Sequence, residues 1–220
     1  MPITDAFFSG KLVDENGLAP RTACCTVVTE GDSRGRRGFL RTGSDYEIYA
    51  DGSFTIPALS PGRYYLRFFG MLQDVESSSV TNKQNRQRLV FDFFYPNAVT
   101  VFEALPFDLE AGQTTSAEFQ IPKPIWFGVS GRVSGDFDTR NRNLSVLFQR
   151  DMGILDGVGG LGFTIRADGG FEGMLLKGTY RASVHEMTNS EPSGYARSMG
   201  EFGSTMVNIE RDALNLDMRL

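Results

Sequence analysis

Hydrophobic and polar residues alternate along much of this chain with a period of two. In residues 63–69, Tyr64, Leu66 and Phe68 fall on one side of an extended backbone, and arginines and a tyrosine fall on the other. Similar alternating runs occupy residues 6–13, 115–121, 179–186 and 215–220. Helical spacing of apolar residues, at i, i+3, i+4 and i+7, is nearly absent. The pattern predicts antiparallel strands with one solvated face, separated by turns.

A short phrase occurs twice in the sequence, and its neighbours repeat with it. Residues 50–54 read Ala-Asp-Gly-Ser-Phe and residues 167–171 read Ala-Asp-Gly-Gly-Phe, and each is followed by Gly-x-Tyr and an alternating run. The four matching pairs of segments are 8–12 and 129–133, 50–54 and 167–171, 61–67 and 177–183, and, more loosely, 107–121 and 207–220. Because the order is kept, the sequence predicts two copies of one domain, each with its own core, at residues 1–122 and 123–220.

The first copy is longer than the second because of an insertion near residues 70–100. The front half of this insertion is polar and predicts a loop, whereas Arg-Leu-Val-Phe-Asp-Phe-Phe-Tyr-Pro at 88–96 predicts another strand. Residues 67–70 and 91–96 are apolar on both faces of an extended chain. We therefore expect these strands to cover a second surface, such as an interdomain contact or a missing partner domain.

The ordered motifs resemble a known family. The first copy carries Ser-Gly-Lys-Leu at 9–12, Asp-Gly-Ser-Phe at 51–54, Pro-Gly-Arg-Tyr at 61–64, Tyr-Pro at 95–96 and a closing strand at 107–121. This pattern is similar to the carboxypeptidase regulatory-like domain, a transthyretin-like β-sandwich related to the B-type repeats of collagen adhesins. The second copy departs from it at Lys177, which replaces the proline, and lacks a glycine in residues 208–215.

The resemblance implies an all-β fold of two tandem transthyretin-like antiparallel β-sandwich domains. It also implies a module of bacterial secreted or outer-membrane proteins, often attached to a larger chain. We expect Phe54, Phe171, Tyr64 and Tyr180, which belong to the repeated phrase, to pack inward as core residues. The motif is specific for a fold and poor for a function, so function has to be argued from a site.

The charge balance and the termini narrow the function classes. The 220 residues carry a formal net charge of −5, which argues against a nucleic-acid partner, and the basic cluster at 33–41 is interpreted as a solvated loop. No apolar run is long enough for a transmembrane helix. The first ten residues lack the features of a signal peptide. An extracytoplasmic location is therefore expected from the family resemblance only.

Residues capable of catalysis are sparse. His185 is the single histidine and is expected on the exposed face of a strand, so a hydrolase site there is disfavoured. Cys24 and Cys25 are adjacent, and because neighbouring strand residues point to opposite faces they are expected to be two thiols, one in a core. The glycine-rich residues 157–162 precede no helix and predict a loop rather than a phosphate site. We expect no enzyme activity and no cofactor.

Calcium is the one metal for which the sequence offers a weak candidate. Asp136, Asp138, Asn141 and Asn143 lie close together in one segment, and their side-chain oxygens suit Ca²⁺. Arginines interleave with them and no bidentate glutamate follows, so a solvated turn is the preferred interpretation.

Exposed aromatic residues raise a second function, carbohydrate binding. Trp126 lies in the predicted linker strand, Tyr65 is expected on an outward face, and Tyr95 precedes Pro96. Rings of this kind stack on sugars when exposed, although core or junction packing is the preferred interpretation of all three. The best prediction is thus a non-catalytic extracytoplasmic spacer or protein-docking scaffold, with a protein, further domains or a glycan as partner. The alternative is a carbohydrate-binding module.

Overall fold

A computed structural model describes residues 5–72, 90–135, 144–155, 160–187 and 198–219, and almost all of them form strands or the turns between strands. The first eight strands are β1 (Ala6–Val13), β2 (Thr22–Ser33), β3 (Arg36–Ile48), β4 (Ser53–Leu59), β5 (Gly62–Met71), β6 (Val90–Phe94), β7 (Phe107–Leu109) and β8 (Thr114–Gln120). The remaining strands are β9 (Trp126–Ser134), β10 (Leu144–Arg150), β11 (Gly160–Thr164), β12 (Gly170–Leu176), β13 (Gly178–Met187), β14 (Ser198–Ile209) and β15 (Ala213–Arg219). One 3-10 helix, Val101–Glu103, precedes β7. The described residues contain no helix long and apolar enough to cross a membrane.

The described chain forms two compact units. The first contains residues 5–124 and 152–155, and the second contains residues 125–151 and the described residues from 160 onward. Residues 152–155 thus belong with the first unit although they follow β10 of the second, which the contiguous ranges 1–122 and 123–220 do not anticipate. Those ranges, as domains that fold separately, stay a prediction.

The first unit is a sandwich of two sheets around an aromatic core. A three-stranded sheet has the order β4-β1-β8, and a five-stranded sheet has the order β3-β2-β5-β6 with β7 also pairing with β5. Phe54 of β4 lies at the centre, where its ring contacts the rings of Phe8, Phe68 and Phe119. Alternation along each strand places such residues on the inner face. The strand predicted within 88–96 is confirmed as β6.

The two sheets of the second unit place their strands in the same order as the corresponding sheets of the first unit. A three-stranded sheet, β12-β9-β15, packs on a four-stranded sheet, β11-β10-β13-β14. Its core is built around Phe148, whose ring contacts those of Phe163, Phe171 and Tyr180. The all-β fold of antiparallel β-sandwiches is therefore confirmed. In each unit, however, the first strand pairs with the last strand in a parallel manner, β1 with β8 and β9 with β15.

The repeated Asp-Gly phrase is a turn with the same geometry in both units. The Gly52 carbonyl accepts a hydrogen bond from the Leu12 amide, and the Gly169 carbonyl accepts one from the Val133 amide. Asp51 accepts one from the Ser53 amide at 2.9 Å, as Asp168 does from Gly170. These bonds tie the turn to the first strand of each unit, so the shared geometry of the aspartates is explained by the turn itself.

The tyrosines of the repeated phrase pack inward, as predicted. The Tyr64 hydroxyl donates to the Ser60 carbonyl at 2.7 Å, and the Tyr180 hydroxyl donates to the Leu176 carbonyl at 2.8 Å. In both cases the acceptor lies four residues earlier, at the last residue of the preceding strand (Leu176) or directly after it (Ser60). The phrase therefore specifies how two strands are joined and held.

Replacing either tyrosine by phenylalanine removes this bond and keeps the ring. We expect Tyr180→Phe to lower the free energy of unfolding by about 1 kcal/mol, because the Leu176 carbonyl then loses a buried partner. Tyr64→Phe is expected to have a smaller effect, since its bond is only partly buried. Urea unfolding measures both, with the exposed Tyr49→Phe as control. Equal stability of Tyr180→Phe and the unmodified protein would contradict the proposed role.

Candidate functional site

The first unit has a second buried layer on its five-stranded sheet. We call the outer face the side of β2, β3, β5 and β6 that points away from the aromatic core. Thr26, Val28, Arg67 and Phe94 lie on this face and are nevertheless buried. The second surface of the doubly apolar strands is thus covered by segments of the first unit itself, and an interdomain contact or a missing partner domain there stays a prediction.

The cover of the outer face comes from two segments that are distant in sequence. In the segment 95–105, Ala98 forms a bridge with Phe94, and the Val101 amide donates to the Met152 carbonyl at 3.0 Å. In the segment 152–155, the Leu155 amide donates to the Phe39 carbonyl at 2.8 Å. Backbone bonds of this kind fix both segments against the sheet.

Tyr65 lies on the outer face, as the alternation predicts, but it is not exposed. Its ring packs edge-to-face on Phe39 at 5.2 Å, and Phe39 packs in the same manner on Phe102 at 5.5 Å. Only 9% of Tyr65 remains accessible. The expected exposure of Tyr65 is therefore wrong, and this ring offers no platform for a sugar.

Tyr95 and Trp126 differ from Tyr65 and from each other. Tyr95 is exposed and its ring leans edge-on against Phe119 at 5.2 Å, on the core side of the sandwich rather than on the outer face. Trp126 opens β9 in the second unit and is half-buried, and its indole Nε1 is buried without a hydrogen-bond partner among the described residues. The structure thus separates Tyr95 from Tyr65 within the first unit.

The most prominent electrostatic feature of the outer face is a two-pronged ion pair. Arg67 of β5 donates from Nε and Nη2 to the two carboxylate oxygens of Asp92 on β6, both at 2.8 Å. The Arg67 guanidinium also lies 4.5 Å from the centre of the Phe69 ring. Beside it, the Thr26 hydroxyl donates to Asp45. These contacts join β5 to β6 and β2 to β3 on the outer face.

A surface groove lies where the β2–β3 hairpin extends beyond β5. The strands pair as far as Ser33 and Arg36, whereas β2 pairs with β5 only as far as Val28. The groove has a volume of about 590 Å³ and is lined by Glu30, Gly31, Asp32, Arg37, Gly38 and Phe39. It therefore places an aromatic ring beside two carboxylates and a guanidinium.

His185 is buried, which corrects the expectation of an exposed strand histidine. Its Nε2 lies 2.7 Å from the hydroxyl oxygen of Ser183, two residues earlier on the same face of β13. Glu201, which pairs with His185 across the β13–β14 ladder, forms an ion pair with Arg181. Ser183 is completely buried, so its hydroxyl is not accessible to a substrate in solution.

The four calcium candidates, Asp136, Asp138, Asn141 and Asn143, lie outside the described residues. So do residues 157–159 of the glycine-rich stretch. Among the residues that the structure describes, no three His, Cys, Asp or Glu side chains gather as a metal site.

Cys24 and Cys25 are two free thiols on opposite faces of β2, and Cys25 is buried in the core, as predicted. Burial raises the pKa of the Cys24 thiol, and the charges of Asp45 and Glu47 raise this pKa further. Burial raises the pKa of Cys25 much more. Both thiols are therefore poorly ionised near neutral pH.

We expect a thiol reagent at pH 8 to modify only Cys24 in the folded protein, and more slowly than it modifies free cysteine. The rate is expected to rise as the pH approaches the raised pKa, because the thiolate is the reacting form. Mass spectrometry of tryptic peptides measures the modification, and Cys24→Ser should show none before urea is added. Equal rates at Cys24 and Cys25 would contradict the burial difference.

Sequence reasoning missed the residues that cover the outer face. Phe102 and Met152 stand in short irregular segments with no period-two pattern, so no local signal marks them as packing residues. The ion pair between Arg67 and Asp92 was also missed, although both positions alternate outward next to apolar neighbours. A charged residue whose neighbours in sequence before and after it are both apolar, within a predicted strand, is the signal that points to such a buried pair.

No family model matches the chain, and no curated protein matches it. The carboxypeptidase regulatory-like assignment accordingly remains what the sequence resemblance implies.

Solved structures of bacterial proteins resemble the chain at low identity. The minor pilin of Streptococcus agalactiae is 11% identical with a TM-score of 0.37, and the match covers 97% of this chain and 95% of the pilin. A streptococcal ancillary pilin is 15% identical with a TM-score of 0.34, covering 100% of this chain and 64% of the pilin. A leucine-rich repeat protein from Bacteroides thetaiotaomicron is 12% identical with a TM-score of 0.31, covering 99% and 26%. The chain thus spans less than two thirds of the last two proteins, and similarity at this level assigns neither a partner nor an activity.

Proposed function

We propose that the chain is a non-catalytic extracytoplasmic module that docks a protein partner, or a further domain of a longer chain, on its first unit. The extracytoplasmic location rests on the carboxypeptidase regulatory-like resemblance of the repeated motifs. The absence of catalysis is supported by Ser183 and His185, whose hydrogen bond is buried under the surface of β13. The residues of the repeated phrase form turns and pack in the core, and a role of this kind is structural, as expected of a scaffold.

The observation that carries the docking proposal is the exposure of apolar residues in the segment 95–105. Phe102 is 73% exposed and Leu105 is 54% exposed. The segment is held rigidly, because the Leu105 amide donates to the Tyr95 carbonyl and the Tyr95 amide donates to the Leu66 carbonyl. Apolar side chains presented on a fixed backbone are typical of protein-binding surfaces.

The test compares the chain with a Phe102→Ser, Leu105→Ser double variant as matched baits for the extracellular and envelope fractions of the producing cells. Proteins that bind the unmodified chain are purified and titrated by calorimetry. We expect the double variant to bind at least about tenfold more weakly, because buried aromatic and aliphatic anchors dominate such interfaces. Tyr49→Ser, at an exposed position outside the segment, should bind normally. Equal affinity of the double variant would refute docking at this segment.

Carbohydrate binding is the second candidate function, and the groove beside Phe39 favours it. A ring, two carboxylates and an arginine supply the stacking and hydrogen bonding that a sugar requires, in a volume within the usual range of ligand pockets. Tyr95 and Trp126 are retained as separate candidates, one in each unit. Titrating a panel of soluble glycans into the chain and into three variants distinguishes the three candidate sites. Asp32→Ala, Tyr95→Ala and Trp126→Ala each remove one of them. Saturable binding lost in only one variant identifies the site, and no binding to any glycan excludes this function.

A further inference from the structure

The β2–β3 hairpin continues beyond the strand on which it packs. β2 pairs with β5 only as far as Val28, whereas its ladder with β3 continues to a last pair at Arg36. The turn between the two strands consists of Arg34 and Gly35, whose φ angles of 54° and 78° are both positive. Two residues of this kind form the tight turn that suits the twist of a hairpin. The basic cluster at 33–41 is therefore the end of a β-hairpin, which corrects its interpretation as a loop.

Three arginine side chains surround the end of this hairpin. Arg34 occupies the turn, and Arg36 and Arg37 are the first two residues of β3. All three residues are exposed. Because neighbouring strand residues point to opposite faces, Arg37 shares a face with Phe39 and Arg36 lies on the other face. Guanidinium groups are thus presented on both faces of the hairpin and at its turn.

Within the part of the chain that the structure describes, none of these three arginines forms an ion pair. Asp32, the nearest acidic residue in sequence, accepts a hydrogen bond from the Gly35 amide at 3.0 Å and so holds the turn. Arginines on other strands do pair with carboxylates, as Arg63, Arg67 and Arg181 show. The end of the hairpin is therefore a local positive site on a protein whose net charge is −5.

We infer that the end of the β2–β3 hairpin binds an acidic polysaccharide through Arg34, Arg36 and Arg37. A guanidinium forms two parallel hydrogen bonds with a carboxylate, sulfate or phosphate group. Because the three groups face in different directions around the turn, they fit successive charges along a flexible polymer better than one small anion. The negative charge of the rest of the protein repels the polymer and so confines it to the hairpin.

The residues at and near the turn favour a polysaccharide over other anionic partners. Residues 32–37 contain no apolar side chain to enter a bilayer, and binding to a lipid surface depends on buried apolar area as well as on charge. The net charge of −5 argues against nucleic acid. The Phe39 ring lines the groove two residues after Arg37 and on the same face, where it offers a stacking surface for a sugar of the bound polymer.

The test titrates the full chain with a size-defined heparin oligosaccharide, an acidic glycan, in a buffer of low ionic strength. We expect saturable binding that weakens as salt is added, because salt screens exposed charges. The triple variant Arg34→Gln, Arg36→Gln, Arg37→Gln is expected to bind at least about tenfold more weakly, since it loses all three charged contacts. No binding of heparin by the unmodified chain overturns the inference, whether or not the triple variant folds.

A second triple variant controls for net charge. Arg21→Gln, Arg132→Gln, Arg211→Gln removes the same three charges from exposed positions outside the hairpin. It is expected to bind heparin almost as tightly as the unmodified chain. Urea unfolding verifies that both triple variants are folded. Equal weakening in the two variants would mean that heparin responds to total charge, and it would overturn the assignment to the hairpin.

Two further probes test the class of partner. Polyglutamate presents carboxylates without sugars, and phosphatidylglycerol vesicles present phosphates on a lipid surface. Tighter binding of either probe than of heparin would overturn the choice of a polysaccharide. The inference goes beyond partner docking at the segment 95–105 and does not rest on it. The Phe102→Ser, Leu105→Ser variant should therefore bind heparin normally, which separates the failure of one proposal from the failure of the other.

Discussion

Replacing Asp92 by alanine is expected to lower the free energy of unfolding by about 3–5 kcal/mol, a large fraction of the stability of a typical domain. The side chains of Arg67 and Asp92 are only 8% and 17% exposed, and they share two hydrogen bonds of 2.8 Å. Without the carboxylate, the guanidinium stays buried with its charge uncompensated. The loss therefore reflects the cost of a stranded charge more than the strength of the pair.

The pair of Arg63 and Asp108 provides a matched control, because Arg63 lies on β5 like Arg67. They form the same two-pronged pair, at 2.9 and 3.1 Å, but their side chains are 61% and 65% exposed. Asp108→Ala is therefore expected to leave the urea midpoint almost unchanged, because water screens both charges and solvates the remaining arginine. Urea unfolding of the two variants measures the difference. Similar midpoints for Asp92→Ala and Asp108→Ala would show that the burial of Arg67 and Asp92 does not control the effect of losing the carboxylate.

Gly52→Ala is expected to destabilise the first unit by about 2–4 kcal/mol. Gly52 has a φ of +84°, and a Cβ atom there lies 2.5 Å from the Leu12 carbonyl oxygen. That carbonyl belongs to a strand bonded on both sides, so it cannot move away without breaking the ladder. Alanine thus adds a clash with the backbone to the strain of a left-handed conformation.

Gly17 separates these two costs. Its φ is +77°, but no atom lies within 4 Å of a Cβ built there, so Gly17→Ala is expected to cost only about 1 kcal/mol. Thermal unfolding of both variants gives the comparison. If they lost equal stability, the close approach to Leu12 would have no energetic weight, and the repeated Asp-Gly phrase would be a matter of turn conformation alone.

The sequence predicts best the features that depend on neighbours in the chain. The Asp-Gly-x-Phe phrase marks the turn and its core ring, and the alternation around Tyr64 assigns each residue of β5 to the correct face. Exposure is predicted less well, because it depends on what covers a face. Tyr65 and His185 point away from the core as the alternation requires, yet both are buried. The ring packed on Tyr65 is that of Phe39, which in turn contacts Phe102, and both phenylalanines are far from Tyr65 in sequence.

For the candidate site too, the sequence predicts what depends on neighbours in the chain better than what depends on distant residues. The alternating run predicts Tyr65 as a candidate sugar platform, whereas Phe102 lies in an irregular segment that carries no such signal. The groove beside Phe39 lies where the β2–β3 hairpin continues beyond its last pair with β5. Strand lengths on adjacent segments have to be known together before such a groove can be predicted.

The parallel pairing of β1 with β8 has a mechanical consequence. The two strands are aligned from Phe7 opposite Thr114 to Val13 opposite Gln120, and they run in the same direction. When tension is applied between the start of β1 and the end of β8, the two strands are pulled in opposite directions along their common axis. The hydrogen bonds between them are then loaded together in shear, instead of opening one after another as in a hairpin pulled from its open end. Because several bonds must then break together, we expect a unit built this way to resist such tension better than a hairpin that opens one bond at a time.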